Sequence, residues 1–163
     1  MRPILSGVHV EPSMELIARP DVVMLDLAAT SREGVLRTLH GVLAKKPGVK
    51  DSDAFLRDIM ERVLVASVCI AADVALPHAR TAAVDRIVLG VARIAAPGVG
   101  FDGEHPNVRL MFMIGTPRNQ VEEYLRLVAS LSRLLRRPGA RAALLAAPTE
   151  SEFRTLLASG AAT

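Results

Sequence analysis

Two short stretches almost free of polar interruption constrain this chain most. They are Arg86 to Ile94, reading RIVLGVARI, and Val108 to Ile114, reading VRLMFMI. A strand that covers a core on one face only alternates apolar with polar side chains. Near-continuous apolar runs of this length belong to strands buried on both faces, in a sheet with helices on each side. The rest of the chain supplies those helices and a further strand. Val22 to Leu27 (VVMLDL) is β-branched and apolar and reads as a strand. Thr30 with Glu33 forms a capping box opening a helix with Val35, Leu36, Leu39, Val42 and Leu43 on one face. Asp51-Ser52-Asp53 caps the next helix, whose stripe of Phe55, Leu56, Ile59, Met60 and Val63 opposes Arg57, Asp58 and Glu61. A long helix from Asn119 to Arg137 is stopped by Pro138-Gly139 and followed by a short Ala/Leu helix. Thr149 with Glu152 caps a last helix carrying Phe153, Leu156 and Leu157. The predicted fold is α/β, a three-layer sandwich with a mixed β-sheet flanked by helices on both faces. Its 163 residues read as one domain, 1–163, with residues 1–20 irregular around Pro3, Pro12 and Pro20 and residues 1–13 an irregular N-terminal segment.

Composition removes several function classes. The chain is 50% hydrophobic and 23% charged, which excludes a disordered chain. Aromatics make up 3%, with no Trp, too few for a platform that stacks single-stranded bases. A net charge of +3 is ordinary surface chemistry, so no nucleic-acid partner is expected. The single Cys69 forbids an intramolecular disulfide and suits a reducing cytoplasm. No run reaches the roughly 18 apolar residues of a membrane span, and the first residues lack the apolar core of a signal peptide, so no membrane insertion is expected.

Four histidines are candidates for chemistry. His9 lies in the irregular N-terminus, His40 flanks an apolar helix stripe and reads as partly exposed, and His105 sits in a loop bounded by Gly, Pro and Asn. None has a second His, Cys or carboxylate at metal-ligand spacing, so neither a metal nor a cofactor is expected. His78 stands apart, in Asp73-Val-Ala-Leu-Pro-His-Ala-Arg80. Pro77 restricts the residue before it to extended backbone, stops a strand-like run, and fixes the direction of the imidazole at a strand end. Arg80 offers a guanidinium whose fork matches phosphate oxygens. A neutral imidazole can attack phosphorus while a nearby Arg neutralises the transferring oxygens. From spacing alone, Pro-His-x-Arg is a weak motif, and a turn histidine with satisfied hydrogen bonds is the favoured reading. On the long helix, Val121, Tyr124, Leu125, Val128, Leu131 and Leu135 share a face, which turns Tyr124 inward and Arg126 to solvent. Gly98-Val-Gly-Phe-Asp-Gly103 matches a dinucleotide-binding spacing, but Glu104-His-Pro-Asn107 leads into a strand and not the helix that pyrophosphate needs, so it reads as a strand-to-strand loop.

Over residues 14–158 the order of these pieces resembles the enzyme IIA domain of the bacterial phosphoenolpyruvate-dependent phosphotransferase system, fructose/mannitol type, which includes nitrogen-regulatory paralogues. The resemblance is carried by Met60-Glu61-Arg62 through Ile70 and by Val74-Ala-Leu-Pro-His-Ala-Arg80, with Glu122-Glu-Tyr-Leu125 in register. It implies an α/β sandwich in which His78 accepts a phosphoryl group from a histidine phosphocarrier protein, with Arg80 stabilising it. An enzyme IIB or a regulatory protein would be the recipient. A module on the same fold that binds partners without being phosphorylated is the alternative. Two departures bear on this. The family's Gly-rich turn is Cys69-Ile-Ala-Ala-Asp73 here, replacing glycines that reach positive φ and bringing a carboxylate towards an anion site. The family's second histidine is Tyr124, which can donate a hydrogen bond but carries no positive charge. The sequence names neither the sugar or regulatory target nor the oligomeric state.

Overall fold

The computed structural model describes residues 12–161. Its elements run α1 (Pro12–Ala18), β1 (Val22–Leu27), α2 (Arg32–Leu43), α3 (Ser52–Val65), β2 (Cys69–Ala71), β3 (Val74–Ala75), β4 (His78–Arg80), β5 (Val88–Ile94), β6 (Leu110–Thr116), α4 (Val121–Arg136), α5 (Ala140–Ala146) and α6 (Glu150–Ala161). The strands form one six-stranded sheet in the order β1-β5-β6-β3-β2, with β4 also paired to β6. β1 runs parallel to β5, and β3 and β4 run parallel to β6, whereas β5–β6 and β2–β3 are antiparallel.

β5 and β6 are buried at all their positions, as their unbroken apolar runs require. One sheet face packs Val35, Leu36, Leu39 and Leu43 of α2 and Phe55 and Ile59 of α3 against Ala92, Met111 and Met113. The other packs Ile17 of α1, Leu127, Leu131 and Leu134 of α4, and Phe153 and Leu157 of α6 against Leu89, Val91, Leu110 and Phe112. The chain is therefore the three-layer α/β sandwich with a mixed sheet that the sequence predicts.

Several local expectations are corrected. Residues 12–18, expected to be irregular, form α1, because Ile17 is an apolar anchor for the far side of the sheet; His9 lies outside the described residues. The cap of α2 is Ser31 and not Thr30: its side chain accepts the Gly34 N–H at 3.0 Å. The caps at Asp51 and Thr149 form as expected, accepting from Ala54 N at 3.0 Å and Glu152 N at 3.2 Å. His40 is buried rather than partly exposed; its Nε2 bonds the Ser52 carbonyl at 2.9 Å and its ring packs on Phe55. On α4 the buried stripe is Leu127, Ser130, Leu131, Leu134 and Leu135, so the stripe is rotated from the expected one and Leu125 is 58% exposed.

The strand carrying His78 does not stop at Pro77. Val74 and Ala75 pair with Leu110 and Met111, and His78, Ala79 and Arg80 pair with Ile114, Gly115 and Thr116, at one constant offset. β3 and β4 are thus one line along β6, interrupted where Pro77 has no N–H to give. Its carbonyl still accepts from Ile114 N at 2.9 Å, which keeps the register across the gap.

Candidate functional site

A cleft of about 510 Å³ opens where the C-terminal end of α3, the strand β4, the end of β6 and the first turn of α4 meet. His78, Arg80 and Tyr124 all line it, so the three residues singled out in the sequence converge. Asp58, Arg62, Thr116 and Arg118 line it as well. Three guanidinium-bearing residues therefore share the cleft with two carboxylates, Asp58 and Glu61. One of those carboxylates is already engaged, since the buried Thr81 hydroxyl donates to Asp58 Oδ2 at 2.6 Å. This bond ties the end of β4 to α3 and sets the two walls of the cleft against each other.

His78 is held by its own strand. Nδ1 lies 2.8 Å from the Leu76 carbonyl oxygen. A carbonyl can only accept, so Nδ1 carries the proton and Nε2 carries the lone pair. The extended Leu76-Pro77 pair brings that carbonyl back under the ring. Burial pushes the His78 pKa below the ordinary 6.5; the Leu76 hydrogen bond opposes this and the Arg62 charge adds to it. At neutral pH the ring is uncharged. Tyr124 packs against it with ring centroids 5.4 Å apart. Burial raises the tyrosine pKa, partly offset by Arg62, so the phenol keeps its proton. Thr116, the partner of Arg80 across the sheet, is 2% exposed, and its Oγ1 has no hydrogen-bond partner. A buried hydroxyl in that state costs free energy unless a ligand satisfies it.

The substituted turn has less effect on the site than its sequence suggests. Ala72 and Asp73 form the β2–β3 connection without positive φ, which among the described non-glycine residues occurs only at Asp26. The Asp73 side chain is paired with Arg141 of α5 at 3.1 Å and does not line the cleft. His40 lies under α3, and His105 belongs to the β5–β6 loop; neither lines the cleft. That loop joins strand to strand through the Val99↔Val108 and Asp102↔His105 bridges.

Sequence reasoning assigned no role to Arg62, Thr116 or Arg118. Arg62 had a signal: Asp58, Glu61, Arg62 and Val65 recur at i, i+3, i+4 and i+7, a face of α3 opposite its apolar stripe. Thr116 had none, because an apolar strand ending in Thr looks the same whether its hydroxyl is partnered or not.

These features define an α/β protein that presents one uncharged, tautomer-fixed histidine at a strand end to a guanidinium-lined cleft. The chain belongs to the family described as "Phosphoenolpyruvate-dependent sugar phosphotransferase system, EIIA 2", whose model matches residues 16–160. Members of this family are phosphocarrier domains in sugar transport or regulation. The chain is 30% identical over 139 residues to a PTS system fructose-specific EIIA component of Haloferax volcanii, covering 85% of this chain and 90% of that protein. It also matches multi-component relatives, spanning 16–23% of their length. Among solved structures it is similar to nitrogen regulatory protein IIA-Ntr from Neisseria meningitidis, with TM-score 0.76, 21% identity, and coverage of 88% of this chain and 97% of that one. It is likewise similar to enzyme IIAMTL of Escherichia coli, solved in complex with phosphorylated enzyme IIBMTL, with TM-score 0.69, 21% identity, and coverage of 84% and 94%. No helix among the described residues is long and apolar enough to cross a membrane.

Proposed function

We propose that His78 is the phosphoryl acceptor of this domain, taking the group from the phosphohistidine of a phosphocarrier protein and passing it to an enzyme IIB or a regulatory partner. The observation that carries this reading is the Nδ1–H···O=C bond to Leu76, which leaves Nε2 as the nucleophilic nitrogen inside the guanidinium-lined cleft. In the transfer, the Nε2 lone pair forms a bond to phosphorus as the donor's P–N bond breaks and its electron pair returns to the donor imidazole. The His78 ring gains positive charge, and the Leu76 carbonyl, already accepting from Nδ1, stabilises it. Arg80 and Arg62 offset the phosphoryl oxygens' charge. Thr116 Oγ1 supplies a hydroxyl donor with no competing partner. Tyr124, at the position of the family's second histidine, fixes the ring by packing and adds a neutral O–H donor.

Protein partners suit the rim of the cleft. Val65 is 80% exposed and Leu125 58% exposed, both line the cleft, and Leu64 beside them is 75% exposed. Apolar side chains grouped around a polar site favour docking of another protein's surface. The test is incubation with phosphoenolpyruvate, enzyme I and the phosphocarrier, followed by intact mass. One acid-labile, base-stable phosphate per chain is expected, lost in His78→Ala. Phosphate that persists in that variant, or maps to another histidine, removes the assignment. A wild-type chain that binds the carrier yet takes up no phosphate supports the unphosphorylated partner-binding module instead.

A further inference from the structure

The β5–β6 loop, which resembles a nucleotide-binding sequence and is not one, brings two side chains to a third from the sheet edge. Cys69 of β2, Asp102 and His105 place a thiol sulfur, a carboxylate oxygen and a ring nitrogen all within 4.8 Å of one another. We propose that these three residues bind a divalent cation of the zinc type at a site separate from the His78 cleft, with which they share no lining residue. The spacing that argued against a metal in the sequence is overridden because 33 residues of chain return to the edge strand before Asp102 arrives, as the difference of the two residue numbers shows.

The donor set selects the metal. One sulfur, one imidazole nitrogen and one carboxylate oxygen suit a borderline cation such as Zn²⁺, whereas Ca²⁺ and Mg²⁺ require oxygen ligands. Three protein ligands leave one tetrahedral position for water.

The ligands are also held in place. Asp102 and His105 close a four-residue turn by His105 N→Asp102 O at 3.2 Å and Phe101 N→His105 O at 2.9 Å. Asp102 Oδ1 accepts from Glu104 N at 2.9 Å and lies 2.7 Å from His105 Nδ1, while Oδ2 accepts from the Ser67 hydroxyl at 2.7 Å. Ser67 Oγ in turn accepts from Cys69 N at 3.2 Å, linking the carboxylate to the cysteine's own backbone. The outer hydrogen bonds from Ser67 and Glu104 N orient the carboxylate, as such bonds do for metal ligands.

The charged and titratable groups around the thiol are Asp102, His105 and, from α2, Arg32, whose Nη1 donates to Phe101 O at 2.6 Å. Binding M²⁺ sends the thiol proton to solvent. His105 offers Nδ1 to the cation in exchange for its hydrogen bond to Asp102 Oδ1. The thiolate and carboxylate neutralise the double charge, so Arg32 is not repelled.

The test is titration of the full chain, stripped with a chelator, with Co²⁺ and then Zn²⁺. One Co²⁺ per chain is expected, with a thiolate-to-cobalt absorption band that Zn²⁺ displaces. Cys69→Ser abolishes the band, and His105→Ala, on an exposed turn, weakens binding at least tenfold. Ser67→Ala, which removes only the supporting hydroxyl, weakens it roughly 10- to 100-fold. A folded wild-type chain without the band, or an affinity unchanged in both His105→Ala and Cys69→Ser, overturns the site. Phosphoryl uptake at His78 is read separately and leaves this result unaffected.

Discussion

Thr81→Val probes the joint on which the cleft depends. Thr81 is 1% exposed; its hydroxyl donates to Asp58 Oδ2 at 2.6 Å and accepts from the buried Ala83 N–H at 3.0 Å. Valine keeps the shape and removes both bonds, while the backbone bond from Thr81 N to Thr116 O at 2.8 Å is untouched. Losing a hydrogen bond to a charged group costs about 1.5–3 kcal/mol, and a buried N–H left without an acceptor costs about 1–3 kcal/mol. Asp58 is only half-buried, so water recovers part of the first cost and its contribution falls to the low end. The sum is about 3 kcal/mol of lost stability. With a urea slope of about 2 kcal/mol/M, the unfolding midpoint falls by about 1.5 M. Thr81→Ser keeps the hydroxyl and is expected to lose only the transfer energy of its missing methyl, about 0.8 kcal/mol. Phosphoryl uptake is expected to slow in the valine variant under conditions where it is still folded, because α3 carries Arg62 and β4 carries His78 and Arg80. A midpoint shift below about 0.3 M, or equal shifts for serine and valine, would refute the reasoning that the hydroxyl joins the two walls.

Three further outcomes are expected. Tyr124→Phe keeps the ring against His78 and is expected to slow phosphoryl uptake about tenfold with an unchanged melting temperature, the cost of one hydrogen bond to a charged group; an unchanged rate assigns the tyrosine to packing alone. Nitrogen-resolved NMR of the His78 ring is expected to show a proton on Nδ1 and a titration midpoint below the ordinary 6.5; a proton on Nε2 at neutral pH contradicts the proposed nucleophile. Burial also lowers the His40 pKa, against its hydrogen bond to Ser52. For His40 and His78 alike the unfolded chain therefore binds more protons between the folded value and 6.5. Stability is expected to be complete above that window and to fall as pH drops through it, with a shallower fall in His40→Gln, measured by urea unfolding on either side of pH 6.5.

Much of the architecture is set by local pattern. Apolar runs without alternation dictate β5 and β6 as strands covered on both faces, and the spacing of Leu36, Leu39 and Leu43, or of Phe55, Ile59 and Val63, dictates which side of each helix is buried. The Pro-His-Ala-Arg block marks His78 because Pro77 restricts its neighbourhood wherever the strand is placed. What a pattern within one segment cannot contain is the partner that a distant segment supplies. The Leu76 carbonyl that fixes the His78 tautomer is local, yet Arg62, Thr116 and Arg118 reach the cleft from α3, the end of β6 and the loop after it. The same holds for the rotation of α4 that exposes Leu125, set by how the helix rests on the sheet and not by its own periodicity. Asp73 reads as a charge beside an anion site until the fold brings Arg141 against it. Cys69, Asp102 and His105 read as unrelated until the edge strand and the β5–β6 loop meet. Sequence thus determines which faces seek burial, because hydrophobic periodicity acts within a few residues; only the tertiary structure decides which charges and lone pairs meet, because those pairings act over a few ångströms across long separations in the chain.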